Sequence, residues 1–177
     1  AMKTEFGAPW GRSLIWISVL ATALLLGVGL IVPWFTRELA PPWVEPMLWL
    51  PLVIAPCALP FVVRGYVVAG GEIRVRRLWW ETRLSGTPVS ARVDAEAMKG
   101  SVRTFGNGGL YSFTGRYWSR KQGSYRAFVT DPKRCVVVEY AGAMVVVSPD
   151  DPEGFVAAVG SGEAAANGEA DAKKTTP

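Results

Sequence analysis

The sequence predicts an N-terminal transmembrane helical hairpin followed by a small, mainly-β domain, and three observations predict it. Two apolar runs, residues 13–32 and 47–63, flank a connector rich in Trp and Pro. From residue 64 the texture changes from runs to short β-branched stretches punctuated by Gly, Asn and Pro. Beyond Gly160 nothing large and apolar remains.

The first run is twenty residues without a charge, the length at which a helix crosses a hydrocarbon core of roughly 30 Å. A signal peptide has a shorter apolar core and ends at a small-x-small site; this run leaves through Val32-Pro33-Trp34 instead. Residues 13–32 are therefore expected to be the first transmembrane helix, after an N-terminal cytoplasmic segment, 1–12. The connector, 33–46, would lie outside the cytoplasm, with Trp34, Phe35 and Trp43 as its interfacial aromatics. Residues 47–63 form the second span, kinked by Pro51, Pro56 and Pro60, so that it leans on a neighbouring helix. Ala23 and Gly27 have a small-xxx-small spacing, read first as packing within the hairpin.

Lys3 and Arg12 precede the hairpin and Arg64, Arg74, Arg76 and Arg77 follow it, while the connector is net acidic. Positive flanks stay in the cytoplasm, which puts both termini and the β domain at the cytoplasmic face of the inner membrane. The chain carries +4 overall, yet between residues 64 and 134 fourteen Lys and Arg stand against five Asp and Glu. Beside a membrane such a face attracts anionic lipid, and nucleic acid is the less favoured partner. Mean hydropathy is only +0.20, too low for a polytopic transporter.

About seven antiparallel strands are expected over 64–159. Residues 66–69 and 72–76 form a hairpin about Gly70-Gly71, with Ile73 and Val75 inward. Residues 80–84, 113–119, 124–130, 134–140 and 143–148 supply the rest, and 93–98 reads as one helical turn. Asp150-Asp151-Pro152-Glu153 opens a short capping helix carrying Phe155, Val156 and Val159 on one face. Residues 160–177 read as a disordered tail.

Three stretches carry a family resemblance: 103–109 with its glycines, 115–117 with 125–131, and 147–153 leading into the last helix. Together with the strand count they resemble the pleckstrin-homology (PH)-like domains of bacterial membrane proteins. The resemblance implies a two-sheet, partly open barrel with a C-terminal capping helix, which binds or assembles and has no chemistry of its own. The basic loop of lipid-binding eukaryotic relatives is replaced here by Gly70-Gly71 alone, which argues against phosphoinositide headgroup binding. Self-association is implied by analogy.

The absence of histidine removes His-based acid-base chemistry and most zinc sites. No catalytic residue, metal ligand or cofactor motif is expected; a lipid-headgroup hydrolase is the least favoured reading, since no nucleophile stands beside a base. Cys57 and Cys135 read as buried hydrophobes in different phases, unfit for an intrachain disulfide. Two candidate binding sites remain. The first is the glycine loop, Gly106, Gly108 and Gly109, read chiefly as a structural turn; if it holds an anion, Arg103, Arg116 and Arg126 are the donors. The second is Arg74, Arg76 and Arg77 with Trp79 and Trp80, either lying on lipid headgroups or forming a solvated strand face with the tryptophans in the core. The function that follows is a membrane-anchored module for protein recruitment or lateral assembly, with anionic-lipid sensing as the alternative.

Overall fold

The computed structural model describes residues 3–36, 38–39, 41 and 43–161. The chain begins with a strand, β1 (Lys3–Gly7), then two helices, α1 (Arg12–Thr36) and α2 (Glu45–Ala58), and a 3-10 turn, Leu59–Phe61. Nine further strands follow: β2 (Gly65–Ala69), β3 (Glu72–Arg76), β4 (Glu81–Arg83), β5 (Pro88–Val93), β6 (Val102–Gly108), β7 (Phe113–Ser119), β8 (Gly123–Val129), β9 (Val136–Tyr140) and β10 (Ala143–Val147). A closing helix, α3 (152–161), ends the described chain. It takes in the first two residues of the expected tail; residues 162–177 lie outside the described residues.

α1 has 25 residues and a mean hydropathy of 2.5 over its most apolar window, long and apolar enough to cross a membrane. α2 is shorter, 14 residues with Pro51 and Pro56 inside it, and the 3-10 turn containing Pro60 completes the apolar segment. The two helices touch where Gly29, buried, faces Leu52; a side chain at residue 29 would overlap it. The close approach is thus at Gly29 and not at the Ala23–Gly27 pair, since Gly27 has open space around it.

The strands form two open sheets, ordered β1-β2-β3-β4 and β5-β9-β10-β8-β7-β6. Ten strands replace the expected seven among the described residues, the additions being β1, β5 and β6. All expected pairings were antiparallel; β8 and β10 instead run parallel, Val145 opposite Arg126. The expected helical turn at 93–98 begins two residues late, because Val93 closes β5 and the turns occupy 95–100. The Gly70-Gly71 hairpin forms as expected, both glycines at positive φ (56° and 77°), the geometry a two-residue turn requires.

β9 and β10 explain why the six-stranded sheet is central. Val136, Val138, Val145 and Val147 face the first sheet, while Val137 and Val146 face away, and both sets are buried. Continuous β-branched runs suit strands covered on both faces. Between the sheets the core is closed by Phe155 of α3, packed edge-on to Phe6 of β1 (5.2 Å) and Tyr66 of β2 (6.1 Å). Asp151 caps α3 by accepting from Gly154 N, and Pro152 opens the helix. Asp150 ties β1 to this corner: its Oδ1 accepts from Gly7 N and its own N–H donates to Gly7 O. On the far face, the 94–101 segment covers Tyr117 and Tyr125 through Ala97 and Met98.

A polar hub sits in the inter-sheet core. Tyr66 donates its hydroxyl proton to Phe128 O (2.6 Å) and accepts from Ser148 N (3.1 Å). Tyr66→Phe is expected to cost about 1–3 kcal/mol, because it leaves two buried groups unpaired. Tyr140→Phe is expected to be neutral or stabilising, since its buried hydroxyl has no partner among the described residues. Urea unfolding of the two variants distinguishes these outcomes.

The same burial fixes an alkaline limit. It pushes the phenols of Tyr66, Tyr117 and Tyr140 up to about 12 from 10.0 and the Cys135 thiol up to about 12 from 9.0. The folded chain therefore holds protons that the unfolded chain has lost. Stability from these groups is complete below pH 9 and falls as pH rises from 9 towards 12. Phenolate absorbance followed with circular dichroism is expected to show ionisation and loss of β structure together; early ionisation in an intact fold contradicts it.

Candidate functional site

The expected glycine loop is part of a β ribbon. Val102–Gly108 is strand β6, the edge of the six-stranded sheet, paired with β7. Gly106 (φ 105°) lies opposite Gly115 (φ 140°), and a side chain at either would overlap the facing backbone. Gly106 and Gly115 serve close backbone approach between the two strands. Gly109 is buried against Ile17 of α1 and Gly108 abuts the Arg103 guanidinium.

This ribbon's tip also fastens the domain to α1. Ser18 donates to Gly109 O (3.1 Å) and accepts from Tyr111 N (3.0 Å), and Thr22 bonds the Tyr111 hydroxyl (3.0 Å). Asn107 holds the turn by accepting from the Gly109 and Leu110 N–H groups. Sequence reasoning missed these residues, because a serine and a threonine inside an apolar run carry no mark of a partner elsewhere.

The three arginines assigned to the loop separate. Arg116 of β7 and Arg126 of β8 are cross-strand partners on one face. Arg103 pairs with Tyr117 on the other face, because a bulge between Arg103 and Phe105 changes the parity of the strand. It lines a separate cleft of about 600 Å3 with Met98, Lys99 and Lys133.

The basic and aromatic stretch separates as well. Arg74 pairs with Glu72 (3.4 Å), and Arg76 with Glu5 (2.9 Å) and Glu81 (3.9 Å), on the outer side of the first sheet. The Arg76 pairs are solvated and of small energetic consequence, while Arg74 is partly buried and its Nε has no partner among the described residues. Trp79 is 76% exposed and Trp80 40% exposed, so neither enters the core. Trp80 packs edge-on to Phe61 at 5.3 Å. Cys57 is exposed on α2 and not buried as expected; Cys135 is buried, and both are free.

Arg77 alone turns inward. Its Nε donates to Thr82 Oγ1 (3.0 Å) and its Nη1 to Phe61 O (2.9 Å). The guanidinium lies over Phe61 (5.7 Å), Trp80 (5.9 Å) and Phe128 (5.5 Å), and Arg126 lies over the same Phe128 ring at 5.3 Å. Among the described residues neither arginine is ion-paired with a carboxylate. Burial, and then the neighbouring Arg126 charge, hold the Arg77 guanidinium below its ordinary value.

The two arginines line a cleft of about 560 Å3, walled by Ile54, Ala58 and Phe61 on the α2 side and by Phe105 and Phe128 on the sheet side. Its walls are chiefly apolar with a cationic end, an arrangement suited to a ligand with a charged head and an apolar body. Of the expected site residues, the structure brings Arg77 and Arg126 together here, with Gly106 on the wall and Trp80 behind Phe61. Phe61, Thr82 and Phe128 were not expected at a site. Each supports Arg77 from a different element, and only the fold assembles them.

No curated protein and no solved structure matches the chain. Residues 64–162, more than half of it, match the model of the bacterial PH domain, and the chain belongs to that family.

Proposed function

We propose that the chain is a non-enzymatic, membrane-anchored interaction module: α1 and α2 form a transmembrane hairpin, and the β domain works at the cytoplasmic face of the inner membrane. One observation carries this reading. The strand before α1 and the strand after α2 lie side by side, Phe6 opposite Tyr66, so the chain leaves and returns on one side. Two passes satisfy that arrangement and a single pass does not. The exposure of Trp16, Leu20, Leu24 and Met47, each above 60%, supports an apolar surrounding for both helices. Lys3, Arg12 and Arg64 at the necks support the cytoplasmic side.

For the module's task, the edge strand β6 supports recruitment of a protein partner or lateral assembly. Its outer side is unpaired among the described residues, with Val102 62% and Phe105 77% exposed, a setting for strand addition. The second reading, contact with anionic lipid, is favoured by the Arg77 and Arg126 cleft.

Topology is tested in cells. The chain is expected to stay with membranes through alkaline carbonate, and a C-terminal phosphatase fusion is expected to be inactive while a fluorescent-protein fusion is bright. Release by carbonate, or an active phosphatase, overturns the anchored reading. A photocrosslinking residue at Val102, on β6 but outside the cleft, is expected to give a discrete protein adduct, and lipid adducts alone would overturn recruitment through β6.

A further inference from the structure

We propose that the cleft between the end of α2 and the β6-β7-β8 face holds one anionic glycerophospholipid, its phosphate between the Arg77 and Arg126 guanidinium groups and an acyl chain along Ile54, Ala58 and Phe61. This rests on the anchored reading, which puts the end of α2 at the headgroup layer.

Charge is the first argument. Arg74 and Arg76, three and one residues before Arg77, each meet a carboxylate, whereas Arg77, half-buried over three aromatic rings, meets none among the described residues. Arg126 faces Arg116 directly across the strands, and like charges opposite one another destabilise a sheet. An anion held at Arg126 eases that repulsion. Arg77 is also fixed before any ligand arrives, by two hydrogen bonds and three aromatic rings. Its remaining N–H groups are free to donate to phosphate in a fork geometry.

The apolar walls select among anions. A free phosphate fills only the cationic end and leaves the surfaces of Ile54, Ala58, Phe61 and Phe105 uncovered. An acyl chain covers them, and each methylene removed from water adds about 0.8 kcal/mol. A zwitterionic lipid brings its own cation towards two arginines with no carboxylate to receive it. The ligand comes from the adjoining leaflet, because Ile54 and Ala58 belong to α2 and its 3-10 approach.

The test uses the full chain in detergent micelles and native mass spectrometry, with short-chain phosphatidylglycerol, phosphatidylcholine and inorganic phosphate as probes. One phosphatidylglycerol per chain is expected to bind saturably, and the other two not at the same concentration. Arg126→Gln, on an exposed strand position, and Arg77→Gln are each expected to weaken binding roughly tenfold or more. Arg74→Gln and Arg76→Gln are expected to leave it within about twofold. Because Arg77→Gln also removes bonds to Phe61 and Thr82, the Arg126 variant keeps the test valid if that protein misfolds. Equal phosphatidylcholine binding, saturation by phosphate alone, displacement by an acidic peptide, or an unaffected Arg126→Gln each overturns the proposal. Carbonate extraction separates the two layers: an integral chain without lipid selectivity sinks the cleft alone, and a carbonate-released chain sinks the anchor.

Discussion

Phe155→Ala is expected to destabilise the domain by about 3–5 kcal/mol, the range for truncating a fully buried aromatic. The ring has no solvent exposure and contacts Phe6 and Tyr66 edge-on. Those partners come from before α1 and after α2, so one side chain joins three separate parts of the chain. Phe6→Ala removes one contact of the same cluster, and the double variant is expected to fall short of additivity by about 0.5–1.5 kcal/mol, the contribution of the aromatic pair itself. Urea unfolding of the full chain in detergent measures both. A loss below about 1 kcal/mol for Phe155→Ala, a surface-like value, would mean that α3 does not close the core.

Gly115→Val is the second large effect, expected to prevent the β6-β7 ribbon from closing. At φ 140° a β-branched residue is strained before any contact is counted, and the added Cβ overlaps Phe105 O. Backbone strain of this kind costs about 1–3 kcal/mol, and separating the strands also sacrifices their ladder. Gly106→Val, against Thr114 O and Gly115, is expected to behave alike. Because Phe105, Gly106, Thr114 and Gly115 of this ribbon wall the cleft, either valine is also expected to abolish saturable phosphatidylglycerol binding. Amide exchange over residues 102–119 reads the effect, and unchanged protection in Gly115→Val would contradict the account.

The elements legible in the sequence are those with an internal signal. α1 announced itself by an uncharged run, the first hairpin by Gly70-Gly71, α3 by Asp151-Pro152, and β9 and β10 by consecutive valines. β1, β5 and β6 lie at sheet edges, where few side chains are buried and hydrophobic alternation fades. Lys3-Thr4-Glu5-Phe6-Gly7 has one apolar anchor, and its partner lies beyond both helices. Parallel pairing of β8 with β10 is equally non-local. Of the candidate site, the arginines were visible as residues but their grouping was not. The bulge after Arg103 sends it to the opposite face, and the carboxylates that occupy Arg74 and Arg76 come from the same strand, from β1 and from β4. What singles out Arg77 is its half-buried place over three rings brought from separate parts of the chain, which only the folded arrangement reveals.

The pairing of β1 with β2 also sets an order of assembly during synthesis. β1 leaves the ribosome before both helices, yet the strand that completes it emerges only after them. Until then Lys3–Gly7 has no ladder partner and the corner held by Asp150 and Phe155 does not exist. On the anchored reading proposed above, insertion of the helices precedes closure of the first sheet, and a chain whose second helix stays out of the membrane keeps an open β edge on which quality control can act.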